Sequence, residues 1–269
     1  MSGGDTESLF AQCQSFALAY SELRGEVNRL LATSQRSPQS LAQAKKLAGR
    51  VQTLDRDIAS WLASIPDEFR FKTVGWISED ELGISRGRSY AEVDVFPGRV
   101  DVYPDFVTAM VWNIARVSRL ILASLNIRLA AWICAPVDYR TTPEYEESAR
   151  ICEDTISDVL ASVPYHLGCQ MKGKPLGSPG LSAFACGEEG PCKALPALFL
   201  IWTLTCVKNH DIPTDEQRAW AKGRLKFIAD DVGLKYANIV NEVCYTLPII
   251  SSTFHFNADI CRSTSASPP

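Results

Sequence analysis

Two segments of the sequence place polar side chains where chemistry could occur. Asn113, Arg116 and Arg119 recur every three residues within an otherwise apolar run, which puts them on one side of a helix. Tyr165 and His166 end a second helix, just before a stretch rich in glycine and proline. All five are candidates for lining a ligand pocket. His166, Tyr165 and Arg116 are the candidate catalytic groups, since an imidazole titrates near neutral pH and could donate a proton.

Each candidate also has a structural interpretation. A buried arginine needs a carboxylate or carbonyl partner, so Arg116 and Arg119 suit an ion-pair network that holds the core together. His166 suits a capping or core position at a helix end. The residue types and their spacing favour these structural roles over catalysis.

The sequence lacks the patterns that bind common cofactors. It contains neither GxGxxG nor GxxxxGK[ST], which cradle phosphate groups, and no GxSxG, which marks the nucleophile of many hydrolases. Nine cysteines are spread along the chain without a CxxC pair, whereas structural zinc sites use closely spaced ligands. We therefore predict no cofactor and no metal site, and we expect reduced, mostly buried thiols.

Composition restricts the partners and the compartment. The 27 basic and 31 acidic residues give a formal net charge of −4 and a pI near 5.5. Because affinity for nucleic acid depends on neutralising phosphates, no direct DNA binding is expected. The N-terminus lacks the features of a secretory signal, and the longest apolar run carries three arginines, which disfavours a membrane span. We expect no membrane partner and an intracellular protein, nuclear or cytoplasmic.

The elements that must position the candidates begin with two helices. A break between them contains Ser37, a suitable N-cap, and Pro38, a suitable first-turn residue. On either side of this break, apolar residues recur at alternating spacings of three and four, as on one face of a helix. This pattern predicts an antiparallel helical hairpin over residues 1–65, packed on the main body. A seam for self-association is the alternative, and it would make the protein a homodimer.

The rest of the chain divides into a crossover and a helical core. Residues 66–104 predict a long crossover loop, with possible strands at 91–96 and 99–103 on either side of a Pro97–Gly98 turn. The sequence predicts that residues 105–258 form the helical core and that residues 259–269 form a disordered tail. The expected core helices cover residues 105–134, 143–163, 196–209, a segment capped by Thr214 and ending near Gly233, and 235–247, with a loop at 169–191. The predicted fold is one compact all-α domain: a bundle of about seven helices with at most one small β-hairpin.

Five segments, taken in order, resemble the regulatory region of fungal binuclear zinc-cluster transcription factors, the fungal-specific transcription factor or middle homology domain. Trp112 and Asn113, followed by Arg116 and Arg119, are characteristic of it, as is SVPYHLG at residues 162–168. The segments are residues 54–71, 102–122, 156–168, 197–207 and 218–240. Together they cover most of residues 54–245.

The resemblance implies an all-helical regulatory domain without known catalytic residues, which senses metabolites or partners. In the family, this region modulates an N-terminal zinc cluster that binds DNA. That cluster needs six cysteines with CxxC spacing and a basic stretch after them, whereas this sequence has one cysteine before residue 134. The resemblance therefore does not extend to the DNA-binding module.

Two classes of function follow. The first is a regulatory or interaction protein without its own DNA-binding module, whose partner is a protein or a small-molecule ligand. The alternative is a cofactor-independent enzyme of fungal secondary metabolism, of the isomerase or cyclase type, on the same helical scaffold. Such an enzyme would need a closed apolar pocket with a few polar groups, so the placement of the five candidates separates the two classes.

Overall fold

The computed structural model describes residues 3–168 and 194–242, with side chains from residue 8 onward. Within these ranges the chain forms eight α-helices and one two-stranded antiparallel sheet, which confirms the all-α prediction. The helices are α1 (Gly3–Thr33), α2 (Pro38–Ser64), α3 (Glu79–Leu82), α4 (Phe106–Cys134), α5 (Pro143–Leu167), α6 (Ala194–Asn209), α7 (Asp215–Asp230) and α8 (Tyr236–Glu242). The strands are β1 (Lys72–Ile77) and β2 (Gly98–Val102). The predicted loop at 169–191 and the predicted tail at 259–269 lie outside the described residues.

The first two helices pack against each other and against the centre of the fold. At the start of α2, the Ser37 hydroxyl accepts the amide N–H of Ser40 at 3.1 Å, and Pro38 occupies the first turn. Val27 of α1 and Leu47 of α2 are buried in the same cluster as residues of α4. The apolar seam of the hairpin therefore packs inside the chain, on the main body.

The fourth helix lies at the centre of the fold. It contacts α1, α2 and α5, and Asp105 caps its start by accepting the Thr108 amide N–H at 2.8 Å. By length and composition, α4 is the one described helix that could cross a membrane, yet 56% of its most apolar window is buried within the protein. A core helix surrounded by other helices has this same composition.

The C-terminal end of α5 differs from the prediction. The sequence predicts an end at about residue 163, because Pro164 and Gly168 both favour termination, but the helix continues to Leu167 and stops at Gly168, whose φ is +80°. Burial of the side chains on either side of the proline outweighs the missing hydrogen bond. Tyr165 and His166 therefore lie in the last helical turn, where their directions are set by the helix.

The crossover contains one β-hairpin, but its first strand is not the predicted one. β1 pairs with β2 so that Trp76 lies opposite Arg99. The expected strand at 91–96 is wrong: the chain forms a 3-10 turn at Tyr90–Glu92 and then lies against α7. There the Trp220 indole donates a hydrogen bond to the Val93 carbonyl at 3.1 Å. Contact with α7, rather than strand pairing, thus satisfies the Val93 carbonyl.

Helices α6, α7 and α8 complete the described core together with α5. Thr214 and Gln217 form the predicted capping box: each side chain accepts the other's amide N–H, at 3.2 and 3.0 Å. α7 ends at Asp230, earlier than the expected C-cap at Gly233, which instead adopts φ +89° in the turn before α8. The predicted continuation of α8 beyond Glu242 lies outside the described residues.

The four described cysteines are free thiols. Cys13 and Cys152 are buried, and Cys134 and Cys206 are partly buried. Burial raises the pKa of Cys13 and of Cys152 to about 12, because a thiolate is poorly solvated in an apolar core. Both are therefore inert packing residues at neutral pH.

Candidate functional site

Four of the five candidate residues meet where α4 and α5 pack together. Arg116 Nη1 donates to Asn113 Oδ1 at 3.2 Å, and the Ser162 hydroxyl donates to the same oxygen at 3.1 Å. Asn113 Nδ2 lies 3.1 Å from His166 Nε2. Asn113, at the centre of this buried polar cluster, is 4% exposed. The structure therefore brings Asn113, Arg116 and His166 together, with Tyr165 beside them.

The cluster determines the state of the histidine. Because Arg116 is only a donor, the Asn113 oxygen must face it, so the Asn113 amide donates to His166 Nε2. Nε2 then carries no proton and the neutral ring holds its hydrogen on Nδ1. Burial and the nearby Arg116 charge lower the pKa of His166 to about 3. At neutral pH the imidazole is uncharged, which favours its core role over proton donation.

Arg116 is held mainly by aromatic rings. Its guanidinium lies 5.1 Å from the ring centre of Phe71, 5.5 Å from that of Trp112 and 5.9 Å from that of Tyr103. Its Nη1 also donates to the Tyr103 hydroxyl at 2.6 Å, and its Nε lies 3.8 Å from Asp158. Cation–π contacts and one partly exposed carboxylate thus offset the desolvation of a charge that is 2% exposed.

Tyr165 joins the cluster through its ring. The ring packs edge-on against Tyr103, with centroids 5.2 Å apart, and against His166, with centroids 5.8 Å apart. Tyr165 is fully buried and belongs to a small aromatic core that includes Phe69 and Trp112. Its observed role is packing between α5 and the crossover.

Arg119 lies outside the cluster. Its guanidinium binds Asp55 of α2 through two hydrogen bonds, of 2.8 and 3.2 Å. The reason is helical geometry: six residues at about 100° each place Arg119 about 120° around the axis from Asn113. Of the two interpretations of this residue, the structure supports the ion pair, which joins the hairpin to α4.

The crossover supplies residues that the sequence patterns did not single out. Arg99 donates from Nε to Asp101 at 3.0 Å and from Nη2 to Asp158 at 2.5 Å, and the Thr73 hydroxyl donates to Asp101 at 2.8 Å. Burial raises the pKa of Asp101 despite these partners, since an ionised carboxylate loses hydration there. One signal was available: Arg99 and Asp101, two residues apart on a strand, share one face. The sequence did not indicate that Asp158 of α5 would be the partner of Arg99.

The cluster is buried but only partly satisfied: Arg116 Nε and Nη2 and His166 Nδ1 form no hydrogen bond within the described residues. None of the five candidates lines either of two clefts on the described surface, which have volumes of about 220 and 540 Å³. Within residues 3–168 and 194–242, no group of three or more His, Cys, Asp or Glu side chains is placed to hold a metal ion. The lining of a ligand pocket by the five candidates remains a prediction, and the enzyme alternative gains no support from this arrangement.

Comparison with known proteins relates the chain to fungal transcription factors. It is 32% identical to one of them over 114 residues, which are 42% of this chain. That relative is "Transcription factor dbaG" of Emericella nidulans, and the chain spans about a quarter, 24%, of its length. No protein-family model and no solved structure matches the chain.

Proposed function

We propose that this chain is a regulatory or interaction domain of the kind that fungal transcription factors carry, without a DNA-binding module of its own. The similarity to dbaG is the observation that carries the proposal. The 269 residues hold one cysteine before residue 134 and no CxxC pair, so they do not contain a six-cysteine zinc cluster. Their slight excess of acidic residues agrees with action through protein or ligand contacts rather than through phosphates.

The arrangement of the candidate residues supports binding rather than catalysis. Asn113, Arg116 and His166 direct polar atoms at one another, and Arg119 at Asp55. A catalytic group needs a substrate within hydrogen-bond reach, whereas none of these side chains lines either of the two clefts on the described surface. The polar cluster thus joins α4, α5 and the crossover into a scaffold whose surface is available for partners.

The compartment and the partners belong to the same proposal. A transcription-factor-like regulator acts inside the cell, in the nucleus or on its way there from the cytoplasm. Its partner is a protein or a small-molecule ligand, and a homodimer is one form the protein partner could take. Metabolite sensing is the form of regulation that a small-molecule ligand would provide.

A reporter assay tests this function. The chain is fused to a heterologous DNA-binding domain in a fungal strain whose reporter gene carries the matching site, with the DNA-binding domain alone as control. We expect the fusion to change reporter expression, and the unfused chain to show no sequence-selective gel shift at physiological salt. A fusion that behaves as the control, or tight and selective DNA binding by the unfused chain, would overturn the proposal.

A further inference from the structure

An exposed tryptophan lines a cleft between the two-stranded sheet and the helices. Trp76 of β1 is 70% exposed, the most exposed of the six tryptophans. It lies directly opposite Arg99 of β2, so both side chains project from the same face of the sheet. Together they line the cleft of about 220 Å³, whose floor is formed by Leu160 and Ala161 of α5. An indole left in water beside an open cleft is typical of a binding surface.

The cleft has a rigid aromatic wall. Phe96 packs edge-on against the fully buried Trp220, with ring centroids 5.9 Å apart, and it also contacts Tyr90 at 5.6 Å. Because Phe96 is held from behind, it presents a fixed apolar surface. Trp76, in contrast, is largely exposed. Both aromatic side chains line the same cleft.

Hydrogen-bond donors lie around this cleft. Arg99 uses Nε and Nη2 for Asp101 and Asp158, and its Nη1 forms no hydrogen bond within the described residues. Gln217 uses its oxygen to cap α7, which leaves its amide NH2 for another acceptor. The exposed Ser157 hydroxyl is a third lining group. The charges of Arg99, Arg116, Asp101 and Asp158 balance, so the cleft favours uncharged oxygen acceptors over anions.

We propose that this cleft binds a small, uncharged, planar aromatic molecule that carries carbonyl or hydroxyl oxygens. The ring stacks on Trp76 and Phe96, and the oxygens accept from Arg99 and Gln217. An apolar cavity of about 150 Å³ holds benzene, so about 220 Å³ suits one or two fused rings. Through Arg99 and Asp158, such a ligand contacts the network that ends at Arg116. The inference thus deepens the proposed regulatory function and rests on it for its biological meaning, while binding itself is tested separately.

Saturation-transfer NMR titration of the full chain with coumarin tests the proposal, since coumarin has two fused rings and a carbonyl. We expect saturable binding with a dissociation constant of about 1 mM or lower. Trp76→Ala should weaken it about tenfold or more, as loss of a stacking ring does elsewhere. Ser157→Phe, at an exposed position, should block the cleft. Trp202→Ala is the matched control, because Trp202 is also exposed, at 42%, but lies on α6, and it should leave binding unchanged.

The outcomes separate this site from the regulatory function. Naphthalene, which has the same ring size without oxygen, should bind more weakly than coumarin. The proposal is overturned by absence of saturable coumarin binding, by equal weakening in the Trp76 and Trp202 variants, or by naphthalene binding as tightly as coumarin. Reporter activity without coumarin binding would refute the proposed ligand site and leave the regulatory function standing. Coumarin binding without reporter activity would refute the regulatory function and leave the ligand site standing.

Discussion

Gly223 allows the crossover to lie directly on α7, and its replacement by alanine tests this contact. A Cβ added at Gly223 would lie 2.1 Å from the carbonyl oxygen of Ala91. The same contact is held from both sides by Trp220, which donates to the Val93 carbonyl at 3.1 Å, and by Arg224, which donates to Asp94 at 3.0 Å. Relief of the clash must therefore move a main-chain segment that is tied to α7 by two hydrogen bonds.

Two effects of opposite sign determine how far Gly223→Ala changes the free energy of unfolding. Alanine is favoured over glycine in a helix interior by about 1 kcal/mol. Overpacking against a neighbour that cannot move freely costs about 1–3 kcal/mol, and weakening the two hydrogen bonds adds about 1 kcal/mol. Because the obstructing atom is backbone, the clash outweighs the helix preference. We expect Gly223→Ala to lower the free energy of unfolding by about 2 kcal/mol.

The measurement is urea unfolding followed by circular dichroism, with Gly49→Ala as the matched control. Gly49 is an exposed position inside α2, and an added Cβ there would meet nothing within 4 Å. Gly49→Ala should therefore raise stability by about 0.5–1 kcal/mol. If Gly223→Ala stabilised the protein to the same extent, the close approach of the crossover to α7 would be refuted.

Three other perturbations test the polar contacts. His166 has a folded-state pKa near 3, below its ordinary 6.5, so its contribution to stability is complete above pH 6.5 and is lost as the pH falls toward 3. Over that range wild type should lose up to about 1.4 kcal/mol per pH unit more than His166→Gln, and parallel pH profiles would contradict this. A double-mutant cycle of Asp55→Asn with Arg119→Gln should give a coupling of about 1–2 kcal/mol, because the pair is bidentate and partly buried; additive effects would show that it does not hold α2. Arg116→Met should cost about 3 kcal/mol or more in unfolding experiments, since it removes the donor to the Tyr103 hydroxyl and one of the two donors to Asn113 Oδ1, and unchanged stability would count against a structural role of the cluster.

Most helices were predictable because their signals are local. Ser37 and Thr214 cap α2 and α7 through side chains that lie three residues from their partners. The apolar seams of α1 and α2 repeat with the period of the helix itself. The end of α5 was not predictable, because the missing hydrogen bond at Pro164 is local while the burial that outweighs it depends on the whole core.

The sequence indicated which residues to consider as site candidates, but it did not indicate which of them contact one another. The spacing of Asn113 and Arg116 correctly indicated one face of a helix. That His166 faces Asn113 depends on the register between α4 and α5, 53 residues apart in the chain. That Asp158 and Arg99 belong to the same network depends on where the hairpin docks, and short alternating stretches do not specify a docking position.

The amino-acid sequence by itself determined that this chain is a helical domain with a slight acidic excess and without a clustered cysteine motif. Periodicity and composition are properties of neighbouring residues, so they need no knowledge of the fold. Only the tertiary structure decided that Arg119 belongs to an ion pair with Asp55, that His166 is a neutral core residue, and that Trp76 stands exposed beside a cleft. These outcomes depend on burial and on partners distant in the chain, which exist only once the helices have packed.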